Sequence, residues 1–339
     1  MPDFLTITAG KETLDIGNML DKVRHYILNC IDTKDSLLQE MALYFAENQG
    51  KMVRPMLTLS CGLIDNPENI DIDELCMAAA GVEMLHMSAL VHDDIIDRAK
   101  IRRGRPSINA LYGKDNALLL GDYFYSCALR LMSELSNSCI FKEALKVIAL
   151  MVEGEIKQRR QAFDLNTSVK DYIIRITYKT AALTSLSCFA GACTAKLPAE
   201  KARLLVKMGW DFGKAYQIRD DIMDFTGDEQ HLKKPSSDLI QGTITLPMIL
   251  LFKMNKAANP RELFSYIRNG KFSDRFQSST IQKQFYVSQL KKAAVEQAAK
   301  YCNRFLARCI KYLSVFPPCE IKEKMVQTIE DMRIVHESL

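Results

Sequence analysis

Apolar residues recur along the chain at intervals of three and four, the spacing of one helix face, and almost nowhere alternate in twos. Over 72–98, Ile72, Leu75, Ala79, Val82, Leu85, Ala89 and Ile96 form one stripe, its single long gap bridged by Val91 and His92. Leu290, Ala294, Ala298, Tyr301, Phe305 and Cys309 do the same over 285–313, and 109–134, 138–160, 169–195 and 199–225 also read as helix. No proline interrupts 68–105 or 107–197. Turns are expected at Asn66-Pro67, Gly104-Arg105-Pro106, Leu197-Pro198, Thr226-Gly227-Asp228, Lys234-Pro235 and Pro317-Pro318. The pattern predicts an all-α protein. A loosely held N-terminal segment, 1–15, precedes a single domain, 16–339, built as a bundle of roughly ten or more helices.

Composition narrows the reading. The 339 residues are 48% hydrophobic and 25% charged with 15 glycines and 10 prolines, which excludes disordered and collagen-like classes. Lysine and arginine number 45 against 41 aspartates and glutamates, a net charge of +4. That balance is too even for a dedicated nucleic-acid binder but leaves room for a small anionic substrate held by local cations. The 10 cysteines are scattered without a CxxC pair, mostly in apolar helical surroundings such as SLSCFAGACTA. They read as small buried hydrophobes in a reducing compartment. The N-terminus carries acids and shows no charged-then-apolar leader, and no uninterrupted apolar run approaches the ~20 residues needed to cross a bilayer. The expectation is a cytoplasmic protein without an integral membrane segment.

Charge becomes informative where it clusters. Residues 90–97 read LVHDDIID, so Asp93 and Asp97 lie one helical turn apart with Asp94 on their flank. Three acids at the end of an apolar helix repel one another unless a cation neutralises them, and hard oxygen donors suit Mg²⁺. A solvated helix end would carry the same residues, so one cluster alone decides little. Residues 216–224, YQIRDDIMD, repeat the spacing with Asp220, Asp221 and Asp224, again closing an apolar helical run. Two such ends facing each other would form a carboxylate cage for several Mg²⁺ ions, which usually serves a polyphosphate. Cations suited to phosphate stand in the same neighbourhoods: Arg102, Arg103 and Arg105 after the first cluster, and Lys51 and Arg54 at the start of a helix. Lys179, beside Thr180 in YKTAALTSL, is either a phosphate partner or a snorkelling surface lysine.

GKMVRP, EMLHMSALVHDDIID followed by RRGRP, Gly121-Asp122, GEIKQ at 154–158, YKT, YQIRDDIMDFTGD and KKPSSDLIQGTITLP occur in this order. Together they resemble the trans-prenyl diphosphate synthase family over most of the chain, and within it the catalytic component of heptaprenyl-type synthases. The resemblance implies the all-α isoprenoid synthase fold around a central apolar channel. It also implies Mg²⁺-dependent head-to-tail (1′-4) condensation of isopentenyl diphosphate onto an allylic diphosphate, farnesyl or geranylgeranyl. On that resemblance Asp93, Asp97 and Asp220 coordinate Mg²⁺, with Asp94, Asp221 and Asp224 in support. Arg102, Lys179 and Lys233 or Lys234 hold the allylic diphosphate; Lys51, Arg54, His86 and Arg103 hold isopentenyl diphosphate. Thr180 and Gln217 stand beside the developing carbocation. The chain departs from the family in reading Leu-Lys-Lys-Pro-Ser-Ser over 232–237, where a Gly-Lys pair and another glycine are usual, and Thr243 where a lysine is common.

Product length is the finer question. Ala89 lies one turn, ~5.4 Å, below Asp93, with Leu85 a turn lower and Ser88 alongside. Small residues at 88 and 89 leave a channel open for a product longer than farnesyl, although they also permit close helix packing; Tyr123, Phe124, Tyr125 or Met132 are candidates for the floor. The resemblance further implies a homodimer, or a heterodimer with a small regulatory subunit. A shorter-chain synthase is the alternative product class. A class I terpene cyclase typically replaces the second acidic cluster with an Asn/Ser/Glu triad, and a non-catalytic subunit should have lost acids from one cluster. Both clusters are intact here, and neither a GxSxG, a P-loop nor a GxGxxG is present.

Overall fold

The computed structural model describes residues 7–9, 12–48, 50–65, 68, 70–226, 241–255, 259–269 and 280–334. The protein is all-α, as the three-and-four spacing predicts. Its backbone gathers into two compact units interleaved along the chain. One comprises Met1–Ile148, Leu183–Gly209 and Lys311–Thr328; the other comprises Ala149–Ala182, Trp210–Ile310 and Ile329–Leu339.

In the first unit, α1 (Ile16–Cys30), α2 (Ser36–Glu47) and α3 (Val53–Leu63) precede α4 (Ile72–Ile96), which is the axis of the unit. Among the described residues, α4 alone has the length and apolarity to cross a membrane, yet most of it is buried inside the unit. It is apolar nearly all round because it packs on several sides, against α1, α3 and α6 (Lys114–Ser133). Its start is fixed locally. Asp71 Oδ1 accepts from the Glu74 amide at 3.0 Å, and Asp73 and Glu74 place negative charge where the helix dipole is positive.

Two details differ from the periodicity. The stretch 109–134 is not one helix: α5 (Ile108–Leu111) stops at Tyr112, and Gly113, at φ +85°, resets the backbone before α6. Short antiparallel ribbons also occur, β1 (Ile7–Ala9) with β2 (Glu12–Leu14) inside the 1–15 segment, and β3 (Ile101–Arg102) with β4 (Arg105–Pro106). The second turns through Arg103 and Gly104, both at positive φ (50° and 78°), the sign pair of a tight I′ hairpin written without Asn-Gly.

Helix α7 (Ser138–Arg160) passes from the first unit into the second at Ala149. The second unit continues with α8 (Val169–Ile176), started by a Ser168/Asp171 capping box, and the five-residue π turn Thr177–Ala181. The helical stretch expected over 169–195 is therefore not α-helical throughout. It resumes as α9 (Ala182–Thr194), followed by α10 (Ala199–Thr226), α11 (Leu246–Met254), α12 (Pro260–Asn269), α13 (Thr280–Leu313) and α14 (Glu320–Asp331). Within the second unit, buried Asp211 on α10 is held by Lys214 at 2.8 Å and by Arg308 of α13 at 2.9 Å.

Because α4 carries the first acidic cluster, its cap matters. Asp71→Ala should destabilise the chain by about 1 kcal/mol in chemical denaturation, with the slope of the transition unchanged.

Candidate active site

In the first unit the end of α4 and the β3–β4 turn come together. Asp94 is buried, and the Arg102 guanidinium grips it with both prongs, Nε to Oδ2 at 2.6 Å and Nη2 to Oδ1 at 2.7 Å. This is the planar, bidentate, charge-assisted geometry that arginine favours. Asp93 and Asp97, on the same helix end, are partly exposed. The next arginine takes a different direction: Arg103 Nη1 donates to the Asn48 carbonyl at 2.7 Å, and a Cβ on Gly50 would lie only 2.4 Å from Arg103 Nη2. The glycine of GKMVRP leaves room for that guanidinium to lie across it. Met52, left-handed at φ +49°, turns the chain into α3, whose first turn carries Arg54; Lys51 is exposed.

His86 lies two turns before Asp93 on α4. Protein crowding, and then the charges of Arg54, Arg103 and Arg102, hold its pKa well below the ordinary imidazole value. The ring is neutral near pH 7 and offers a hydrogen bond without adding charge. Glu83, three residues earlier and 5% exposed, is raised by burial, an effect opposed by Arg54 and Arg103. It is a buried acid within the influence of the basic group that the sequence reading missed, although a lone acid inside the apolar run AAAGVEMLHM was its visible signal.

The small residues of α4 divide. Ser88 is buried, and its hydroxyl donates to the Gly121 carbonyl of α6 at 2.8 Å, so its size serves helix contact. Ala89 is partly exposed, and Leu85 is buried. Phe124 and Met132 are fully buried in α6, while Tyr123 and Tyr125 are partly exposed. Gly121-Asp122 meets His92, whose Nε2 is 3.4 Å from Asp122 Oδ1 and whose ring occupies the space a Cβ at Gly121 would need.

In the second unit the π turn carries Lys179 and Thr180. π turns are rare and concentrate at functional sites, because the extra residue breaks the helical hydrogen-bond ladder. Here the turn lies against Gly154 of α7: a Cβ on that glycine would fall 2.6 Å from the Lys179 amide nitrogen. Lys179 Nζ bonds Glu155 Oε2 at 2.6 Å. The motif GEIKQ thereby receives a structural meaning, a glycine admitting the turn and a glutamate holding its lysine. On the other side, Thr180 Oγ1 donates to Gln217 Oε1 at 2.8 Å, and Gln217 Nε2 donates to Asp221 Oδ1 at 2.8 Å. Asp221 is buried, and its Oδ2 accepts from Tyr172 Oη at 2.6 Å. Arg175 stands over the Tyr172 ring and donates to the Ile244 carbonyl at 2.7 Å, tying α8 to the segment that includes Thr243. Asp220 and Asp224 are exposed.

The two acidic clusters thus share an internal arrangement. Each middle acid, Asp94 and Asp221, is buried and hydrogen-bonded within the protein, while the outer acids are more open. Among the described residues no three His, Cys, Asp or Glu converge closely enough to hold an ion by themselves. The donor set nevertheless fits Mg²⁺, which takes few carboxylates and completes its octahedron with water and substrate phosphates. The first cluster and the Lys51, Arg54, His86, Arg102 and Arg103 group lie in the first unit; Lys179, Thr180, Gln217 and the second cluster lie in the second. Lys233 and Lys234 lie outside the described residues.

All-helical architecture, twinned aspartate clusters and phosphate-type cations define a class of enzyme that handles diphosphates. The polyprenyl synthetase family profile matches residues 35–283, and the chain belongs to that family. It is a prenyltransferase. It is 31% identical over 309 residues to heptaprenyl diphosphate synthase component 2 of Geobacillus stearothermophilus, covering 91% of this chain and 92% of the relative. The protein of the same name from Bacillus subtilis is 30% identical over 306 residues, covering 89% and 84%. The crystal structure of heptaprenyl diphosphate synthase from Staphylococcus aureus superposes with a TM-score of 0.81 at 27% identity, covering 94% of this chain and 98% of the other.

Two outcomes follow. An unfolded histidine protonates near pH ~6.5, whereas His86 in the fold resists protonation until well below that. Its contribution to stability is full above pH ~6.5 and is lost as pH falls below it. Between pH 7 and pH 5 the wild type should therefore lose more unfolding free energy than His86→Gln, measured by urea denaturation. Gly154→Ala should displace the π turn and lower prenyl transfer by about tenfold or more, while circular dichroism still reports a helical protein.

Proposed function

We propose that this chain is a Mg²⁺-dependent trans-polyprenyl diphosphate synthase that adds isopentenyl diphosphate head-to-tail (1′-4) to farnesyl or geranylgeranyl diphosphate, giving a medium- or long-chain all-trans product. The observation that carries the reading is the matched pair of clusters, each with its middle aspartate fixed by protein donors and its outer aspartates more open. Asp93, Asp97 and Asp220, supported by Asp224, hold the metal that accompanies the allylic diphosphate. Bound there, Mg²⁺ supplies charge neutralisation at the departing diphosphate oxygens.

The protein's own groups do the rest. Arg102, Lys179 and Lys233 or Lys234 bind the allylic diphosphate and stabilise the charge that gathers on it as the C1–O bond breaks. Lys51, Arg54, Arg103 and neutral His86 bind isopentenyl diphosphate. The Thr180 and Gln217 oxygens face the allylic cation. The isopentenyl double bond attacks that cation, a C–C bond forms, and the departed diphosphate takes the proton released from C2, so no protein nucleophile is needed.

The size of Ala89 supports a product beyond farnesyl. The name component 2 carried by two relatives supports a second reading for assembly, in which the chain is catalytic only with a small partner subunit rather than as a homodimer. None of the ten cysteines is in a disulfide, which supports a reducing, cytoplasmic setting.

Purified protein given farnesyl diphosphate, isopentenyl diphosphate and Mg²⁺, with and without a candidate partner, should form elongated products that chromatography can size. Asp93→Ala and Asp220→Ala should each lower turnover by about a hundredfold or more while the fold survives; near-normal rates would refute the metal assignment. Ala89→Phe should shorten the product without abolishing activity, and an unchanged product distribution would refute the channel assignment.

A further inference from the structure

We propose that Tyr172 and Asp221 are positioning residues for prenyl transfer, acting on the reacting centre through Gln217 and Thr180. The inference rests on the reading of Thr180 and Gln217 as the groups that face the allylic cation. What it adds is how their oxygens come to point there.

The four side chains form one hydrogen-bonded chain: Tyr172 Oη to Asp221 Oδ2 at 2.6 Å, Gln217 Nε2 to Asp221 Oδ1 at 2.8 Å, and Thr180 Oγ1 to Gln217 Oε1 at 2.8 Å. All belong to the second unit. Each link sets the direction of the next. An ionised carboxylate only accepts, so it takes the amide NH₂ of Gln217 and forbids the flipped amide, whose oxygen would meet Asp221. The Gln217 oxygen is thereby turned toward Thr180. Gln217 Oε1 in turn takes the Thr180 hydroxyl proton, which leaves lone pairs of the Thr180 oxygen for a positive centre. A flipped amide would instead present NH₂ in that direction, and its partial positive charge would repel the cation.

Tyr172 is the anchor. It is fully buried, Arg175 stands over its ring, and the same arginine is bonded to the Ile244 carbonyl and to Gln161 Oε1. The phenol therefore approaches Asp221 from a fixed place on α8, while Gln217 approaches it from one turn away on α10. Asp221, which the family resemblance places among the metal supports, acts in this scheme by orienting Gln217.

The test is a double-mutant cycle in the full-length protein, using farnesyl diphosphate, isopentenyl diphosphate and Mg²⁺. Tyr172→Phe removes one hydroxyl and keeps the ring. Its kcat should fall by about ten- to a hundredfold, with KM for both diphosphates and the Mg²⁺ half-saturation within about twofold of wild type. In a Gln217→Ala background the same substitution should change kcat by less than about twofold, because the group it acts through is gone. Asp221→Asn, which lets the amide flip, should likewise lower kcat and leave the binding of Mg²⁺ with inorganic diphosphate, measured by calorimetry, unchanged. An equal loss from Tyr172→Phe in both backgrounds would overturn the proposal. A tenfold weaker Mg²⁺-diphosphate affinity in Asp221→Asn, with kcat restored at saturating Mg²⁺, would overturn it by making Asp221 a metal ligand. A wild type that forms no prenyl product would overturn the functional reading itself, and this inference with it.

Discussion

Carboxylates one turn apart on a helix repel, and the rest of the site depends on how the fold contains that repulsion. In both clusters the middle acid is taken out of the competition. Arg102 closes on Asp94 as a fork; Tyr172 and Gln217 divide the oxygens of Asp221 between them. A buried carboxylate without such partners would be strongly destabilising, so the partners are as constrained as the acids themselves. The outer acids, Asp93, Asp97, Asp220 and Asp224, stay more open to solvent. The same containment reaches further: holding Asp94 brings the β3–β4 turn against α4, and holding Asp221 joins α8 to α10.

Basic groups raise the mirror-image problem. Burial, and then the charges of Arg54, Arg103 and Arg102, push His86 neutral, and Glu83 is buried within the influence of Arg54 and Arg103. An anion site built only of cations would be strained before its ligand arrived. The first unit includes one internal acid, Glu83, and one neutral donor, His86, within the influence of those arginines. Lys179 is handled similarly by Glu155 in the second unit.

Much of this was legible in the sequence. The spacing of Ile72, Leu75, Ala79 and Val82 marks α4 because a helix buried on several sides must be apolar at every turn, and the recurrence of D-D-x-x-D marks the acids. What the sequence hides is anything set by a partner from elsewhere in the chain. Glu155 looks like a surface acid until the π turn brings Lys179 to it. Tyr172 looks like ordinary core, since nothing local reveals that its hydroxyl meets an aspartate on α10. The π turn itself leaves no signature, because Thr177–Ala181 is unremarkable helical sequence whose distortion depends on the close approach at Gly154. The break at Gly113 was missed because a lone glycine within a periodic run is usually tolerated.

The turn between β3 and β4 carries one more consequence. A sequence written for the stability of that hairpin would place Asn-Gly there; this chain places Arg-Gly, setting a long cationic side chain in the left-handed region at a cost of about 1 kcal/mol. That backbone makes Arg103 diverge from its neighbour, so that two consecutive arginines reach different partners, the Asp94 carboxylate and the Asn48 carbonyl. Local stability has been traded for the separate aim of two adjacent charges, and a consensus-minded repair of the turn would be expected to yield a sturdier ribbon on a poorer enzyme.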